Sequence, residues 1–301
     1  MSTNKQLSLI QVPFGLGAGR PGTEEGPDSM MQAGLIRQLR KTDYELAGEY
    51  KVRCPLPATA NSNDGQVKHL PEVKEMSRLV AKQISQAVRN NTLPLVLGGD
   101  HSVTIGVLAG LSSQNANLGV ICFDAHAGLN TETTTQTGHL NGMSLAVALG
   151  KAGLKLSDAA DGAMPIKKEN LVIIGVRDVE PEERELIQSE GITCFTMHDI
   201  DRMGIEKVIQ KAMEIAGDGT DGIHISFDAD CLDPLEAPGV GLSVPGGLTY
   251  REAHFACELL AESGRITSID VVEVNSLQDE SRRTARLAVG LIASLLGKRI
   301  L

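Results

Sequence analysis

Asp124 and His126 stand two residues apart, as do Asp228 and Asp230, and each pair closes a short apolar run. At a strand end, residues i and i+2 project to the same side, so each pair can aim at one point. His101, just past Gly98-Gly99-Asp100, follows a third apolar run and can join them from a neighbouring strand, and Glu273 ends a fourth. Two imidazoles and three carboxylates without a thiolate form a nitrogen and hard-oxygen donor set. Such a set suits Mn²⁺, Fe²⁺, Zn²⁺ or Mg²⁺ and disfavours a soft metal. Three carboxylates neutralise most of the charge of two divalent ions, and a bound pair of ions makes a water nucleophile near neutral pH. A lone Asp-x-His or Asp-x-Asp more often merely caps a turn or a helix. Several such sites at one edge of a sheet reverse that balance.

The elements that must position these groups are legible as alternating patterns. Residues 7–12, 93–99, 118–126, 170–176, 222–230 and 266–275 are short apolar, β-rich runs. Between them lie helical patterns over 71–88, from about Ser102, and near 140–150, 181–190, 201–216, 250–262 and 282–297. In 71–88, Val73, Met76, Val80, Ile84 and Ala87 fall on one stripe. Strands that are continuously apolar are buried on both faces. Strands separated by helices imply right-handed crossovers and a mainly parallel sheet. The expected fold is therefore α/β, one domain over 1–301, with a polar loop at 54–70. In open parallel sheets ligands bind beyond the carboxyl ends of the strands, the edge at which the polar pairs stand.

Other features carry less. Gly17-Ala-Gly19-Arg-Pro-Gly22 formally matches a dinucleotide-binding glycine motif, but Pro21 and the continuation to Pro27 leave no helix opening at the glycines, so a turn is expected. No Gly-x-Ser-x-Gly is present, and neither Ser102, Ser226 nor the cysteines stand in a nucleophile's sequence context. His69, His198, His224 and His254 are expected as surface or core residues, whereas His139 lies in the Thr/Gly-rich loop after His126. The five cysteines are scattered without Cys-x-x-Cys spacing, which fits reduced thiols in a cytoplasmic protein. The formal net charge of −10, with no basic run, argues against nucleic acid and against an anionic membrane surface. No apolar stretch approaches the roughly 18 residues of a spanning helix. Aromatics are 3% of the chain, so stacking platforms for bases are not expected and the core must be aliphatic.

With these residues in view, the chain resembles the arginase family, the ureohydrolases. Gly98-Gly-Asp-His-Ser102, Asp124-Ala-His126 and Ser226-Phe-Asp-Ala-Asp-Cys-Leu-Asp-Pro234 resemble its three metal-binding signatures in order and separation. The segments 15–35, 176–183, 245–252 and 272–291 extend the likeness nearly end to end, closest in character to bacterial arginases. The resemblance implies a three-layer α/β/α sandwich, Mn²⁺ as cofactor, and hydrolysis of L-arginine or a related guanidino compound to L-ornithine and urea. It assigns His101, Asp124, His126, Asp228 and Asp230 as metal ligands and Glu273 as the carboxylate that orients the guanidinium. It places Asn130 and Thr137 (often Ser in the family) at the α-carboxylate. Glu180, usually a shorter Asp, and Glu183 fall at the α-amino end. A small cationic substrate and a homo-oligomer, trimer or hexamer, are further implications.

The chain also departs from the family pattern. Asp-Ala-His-x-Asp-x-Asn reads here as Asp124-Ala-His126-Ala-Gly128-Leu-Asn130, so a metal-binding and proton-accepting carboxylate is replaced by glycine. Gly-Asn-x-His-Gly reads as Gly138-His139-Leu140-Asn141-Gly142, so the proton-shuttling histidine position holds Asn141 and His139 is the candidate substitute. Leu242 stands for a Thr beside the guanidinium-binding Glu, and Arg282 for an Asn. Even outer-shell changes typically cost about 10–100-fold in metal affinity. The expectation is thus one well-held ion at His126, Asp124, Asp228 and Asp230, and a weak or empty site at His101. Activity is expected to be impaired or altered. The alternative is a catalytically inactive arginase homologue that binds a metal, an amino acid or a partner protein.

Overall fold

Eight strands form one sheet in the computed structural model, which describes residues 5–57, 67–114 and 117–299. The strands are β1 (Lys5–Gln11), β2 (Tyr44–Lys51), β3 (Leu93–Leu97), β4 (Leu118–Phe123), β5 (Leu171–Val176), β6 (Thr193–Thr196), β7 (Gly222–Asp228) and β8 (Ile266–Val272). The α-helices are α1 (Gly26–Gln32), α2 (Leu35–Leu39), α3 (Leu70–Arg89), α4 (Val103–Ser112) and α5 (Ser144–Ala148). They continue with α6 (Pro181–Glu190), α7 (Met197–Met203), α8 (Ile205–Gly217), α9 (Tyr250–Glu262) and α10 (Arg283–Leu295). Every strand pairing is parallel, in the order β2-β1-β3-β8-β7-β4-β5-β6.

Side chains that alternate along the strands feed two separate cores. On one face, Leu95, Ile121, Phe123, Ile225 and Ile269 pack with residues of α1, α2 and α7 to α10. On the other, Val96, Val120 and Ile173 pack with residues of α3, α4 and α5. Helices thus cover both faces, which is the three-layer α/β/α arrangement expected. Val73, Met76, Val80, Ile84 and Ala87 of α3 are all buried, as their spacing predicted.

Differences from the sequence reading have local causes. The pattern over 201–216 is two helices, broken at Gly204, whose φ of 80° lies in the left-handed region that glycine enters without strain. Strand β2 is an edge strand, largely exposed, and its Tyr-Glu-Leu-Ala-Gly-Glu-Tyr-Lys sequence has no buried face to betray it. The glycine-rich stretch at 17–22 is indeed turn, and α1 opens only at Gly26. Most of the polar loop at 54–70 lies outside the described residues. All five cysteines are free thiols. No helix among the described residues is long and apolar enough to cross a membrane.

Candidate active site

The order β3-β8-β7-β4 brings together the strand ends that carry His101, Glu273, Asp228 with Asp230, and Asp124 with His126. After β3, the Asp100 carboxylate accepts hydrogen bonds from Gly17 N at 2.8 Å and Ser102 N at 2.8 Å. That pins the turn and points the His101 ring back over the sheet edge. After β7, Asp228 Oδ1 accepts from Asp230 N at 2.8 Å, so the first aspartate folds the turn that presents the second. After β4, Asp124 Oδ1 accepts from His126 N at 2.7 Å in the same way. The same acidic side chains therefore cap turns and face the site, which reconciles the two readings of an Asp-x-Asp pair.

Two clusters result, sharing Asp124. His101 Nδ1 lies 2.9 Å from Asp228 Oδ2 and 3.2 Å from Asp124 Oδ2. His126 Nδ1 lies 3.0 Å from Asp230 Oδ2 and 3.4 Å from Asp124 Oδ1. Asp124 thus turns one oxygen to each imidazole. Donor atoms adjacent on one octahedral ion at about 2.1 Å stand about 3 Å apart, so these spacings fit divalent-cation chelation. Cys122 Sγ sits 3.9 Å from His101 Nε2, on the ring edge away from the carboxylates. Burial pushes its thiol up to about 12, so it offers no thiolate to a metal at neutral pH.

Burial and mutual repulsion set the electrostatics of this cluster. Burial alone would depress His101, but Asp124 and Asp228 outweigh it and hold the imidazole well above its ordinary value. His126, also desolvated, is raised to about 12 by Asp124 and Asp230. Asp228 is held well above the carboxylate range by burial and then by the charges of Asp230 and Asp124, and Asp230 is raised by burial and Asp124. Cations at this position would relieve that repulsion.

Glu273 follows β8, between the ends of β3 and β7, in an unusual backbone state, φ 61°. A non-glycine residue there is strained by about 1–3 kcal/mol, and such strain gathers at functional sites. It is held by Glu273 N donating to Gly99 O at 2.8 Å and by His101 N donating to Glu273 Oε1 at 2.9 Å. Burial, then the charge of Asp100, pushes its carboxyl up to about 7.

The remaining sequence-predicted residues line the same cleft of about 370 Å³. Asn130 Oδ1 accepts from Thr134 Oγ1 at 2.9 Å, and Thr137 Oγ1 accepts from His139 N at 3.3 Å. Glu180 Oε2 is buried without a hydrogen-bond partner. Glu183 is buried with both oxygens engaged, Oε1 by Leu129 N at 2.9 Å and Oε2 by Glu180 N at 3.1 Å. It clamps the loop after His126 to the start of α6. His139 Nε2 lies 3.4 Å from Lys68 Nζ, and burial together with the charges of Lys68 and His69 lowers its basicity. Asn141 Nδ2 donates to Glu273 Oε1 at 3.2 Å. Gly128 has φ 63°, and a Cβ there would meet Ser144 Oγ at 3.4 Å, an ordinary contact.

Sequence reasoning missed Arg20 and Asp178 at the cleft wall and Arg177 behind it. Arg177 Nη2 donates to Asp230 O at 2.8 Å and to Val244 O at 2.7 Å, tying the Asp228–Asp230 turn to the loop that follows. Nothing in a single arginine after a strand signals that role; only the fold brings the carbonyls to it.

A family model described as the arginase family matches residues 5–297. An arginase of Brevibacillus brevis is 41% identical over 298 residues, covering 99% of this chain and 100% of the relative. An arginase of Bacillus subtilis strain 168 is 42% identical over 298 residues, with the same coverage. The crystal structure of arginase from Bacillus caldovelox superposes with a TM-score of 0.94 at 41% identity, covering 99% of this chain and 100% of that one.

Proposed function

The chain belongs to the arginase family, and on that premise we propose that it is a metal-dependent ureohydrolase. Its substrate is a small cationic guanidino compound, foremost L-arginine, which it cleaves to L-ornithine and urea at a rate reduced by Gly128 and Asn141. The observation that carries this reading is the convergence of His101, Asp124, His126, Asp228 and Asp230 with Glu273 in one cleft. Their donor set and spacing suit Mn²⁺, with the firmer hold at His126, Asp124, Asp228 and Asp230. When bound, such ions supply Lewis acidity and make water a nucleophile near neutral pH.

The chain's own residues bind and orient the substrate. Glu273 Oε1 is occupied by His101 N and Asn141 Nδ2, so Oε2 is the oxygen left to the guanidinium. Glu180 Oε2, buried and unpaired, suits the ammonium at the far end. Asn130 and Thr137 offer polar groups for the carboxylate. Hydrolysis then requires that the C–N bond break and a proton reach the departing amine. Glycine has no ionisable side chain and the Asn141 amide does not ionise, so His139 is the imidazole of that loop left for the task. General acid–base assistance typically contributes about 10²–10⁴-fold, which sets the scale of the expected deficit.

The test is metal counting on Mn²⁺-equilibrated protein with assays for urea from L-arginine and agmatine, and for formamide from formiminoglutamate. One tightly held ion, a second only at high Mn²⁺, and slow urea release from L-arginine are expected. Complete absence of hydrolysis with all three compounds overturns the enzyme reading in favour of an inactive binding protein.

A further inference from the structure

Strands buried on both faces ordinarily carry Val, Ile and Leu, yet β7 and β8 carry a polar row on the face beneath α4. His224 stands opposite Ser268, and Ser226 opposite Asp270, in the parallel register. These four side chains and Thr104 of α4 have no exposed surface. Burying a polar group without a partner costs on the order of 1–3 kcal/mol, so the row is tolerable only because its members satisfy one another. The Asp270 carboxylate accepts from Ser226 Oγ at 2.7 Å, Thr104 Oγ1 at 3.0 Å and His224 Nε2 at 3.1 Å, and His224 Nδ1 lies 2.9 Å from Ser268 Oγ. Burial would raise Asp270, but the charge and hydrogen bond of His224, with His101 and Ser226, hold its carboxyl below the ordinary value. It is therefore an acceptor.

The row ends at His101, whose Nε2 lies 3.2 Å from Ser226 Oγ. A hydroxyl has one proton, and a carboxylate can only accept. Ser226 spends its proton on Asp270 and so meets His101 with a lone pair. Nε2 must then be the nitrogen that carries hydrogen, which leaves Nδ1 to face Asp124 and Asp228. The three residue types are those of a hydrolytic triad, but the serine sits between histidine and aspartate with no exposed surface, so it cannot attack a substrate.

We propose that Ser226 and Asp270 are positioning residues, which hold the His101 imidazole with Nε2 protonated so that the Nδ1 lone pair is presented to a divalent cation between Asp124 and Asp228. This rests on the reading of His101 as a metal ligand. Asp270→Asn would turn the row around: an amide NH₂ aimed at Ser226 frees the hydroxyl proton to point at Nε2, which favours the wrong tautomer. Ser226→Ala removes the acceptor outright, whereas Ser226→Thr keeps it.

The experiment combines Mn²⁺ titration of the four proteins with ¹⁵N NMR of the histidines in their Zn²⁺-loaded, diamagnetic forms. Affinity at the His101 position is expected to fall about 10–100-fold in Ser226→Ala and Asp270→Asn and to stay near wild type in Ser226→Thr. The wild type should show a protected Nε2–H on His101, lost or shifted in the first two variants. Variants that bind metal like the wild type, even if less stable, overturn the positioning role alone. A wild type that binds neither ion overturns the metal reading and this inference with it.

Discussion

Asn141 Nδ2 and the backbone N–H of His101 donate to the same oxygen, Glu273 Oε1, at 3.2 and 2.9 Å. One contact links the loop after β4 to the end of β8, and the other links the ends of β3 and β8. The carboxylate is thereby fixed in a plane with Oε2 directed past Gly241, where an added Cβ would meet it at 2.8 Å.

Glu273→Gln tests the consequence. The variant keeps the shape but loses the charge that a guanidinium would pair with, and loss of one partner from a desolvated charged pair typically costs about 2–5 kcal/mol. Calorimetric affinity for L-arginine is expected to drop at least about 30-fold. Mn²⁺ uptake should be little changed, because Glu273 lies outside both imidazole–carboxylate clusters. Retained arginine affinity would remove Glu273 from substrate recognition.

Arg177→Lys should destabilise the fold and loosen the metal position together. The guanidinium reaches carbonyls of Gly175, Asp230, Cys231, Leu232 and Val244. An ammonium with three donors on a flexible stem cannot match that fork. Hydrogen bonds to charged groups are worth about 1.5–3 kcal/mol, so a loss of about 2 kcal/mol in denaturant unfolding is expected. A weaker Mn²⁺ affinity should accompany it, since Asp230 is presented by the turn that Arg177 braces. An unchanged unfolding midpoint would show that the carbonyls find water instead.

What could be read from the sequence divides along a physical line. Apolar strands and the polar pairs at their ends were legible because burial and the period-2 projection act locally. His101, Asp124, His126, Asp228 and Asp230 needed only the assumption that their strands are neighbours, which β3-β8-β7-β4 supplies. The edge strand β2 was not legible, since its residues pack on one neighbour and face solvent. His224 was expected as a surface or core residue and is fully buried, but its link through Asp270 and Ser226 to His101 depends on strand register. A hint existed in Asp270, a charge inside the apolar run 266–275. The strained φ of Glu273 has no sequence signature at all.

Acid should weaken one contact between α3 and the turn at Leu156–Asp158 in a predictable direction. Lys74 Nζ lies 2.9 Å from Asp158 Oδ1, and the Lys74 hydrogen bond, aided by Lys155 N, lowers the Asp158 carboxyl from its usual 3.8. A carboxyl depressed on folding contributes stability that is complete above its unfolded value and is lost as pH falls through the folded one. The pair is about one-third exposed, so screening limits it to a few tenths of a kcal/mol. Denaturant unfolding of wild type and Asp158→Asn should differ by that amount at pH 6, and the gap should shrink as pH falls below the usual carboxylate value and close only once it passes the lowered folded one. A gap that persists in acid would assign the effect to packing instead.

The combined change Gly128→Asp with Asn141→His bears most directly on why turnover should be slow. At Gly128 a Cβ meets Ser144 Oγ at 3.4 Å and Leu145 Cγ at 3.6 Å, so an aspartate has room. The φ of 63° is one that Asp tolerates better than most residues, at a cost of about 1 kcal/mol. Without metal the variant should therefore melt slightly below the wild type. With Mn²⁺ the order should reverse, because ligand binding to the native state raises apparent stability by mass action. Asn141→His restores an ionisable group beside Glu273 but gives up the amide donor on Oε1. Each single change is expected to recover part of the rate, and the pair together about 10²–10⁴-fold in urea release from L-arginine. Two bound ions with no gain in urea would locate the deficit elsewhere in the cleft, with Leu242 beside Gly241 the next residue to exchange.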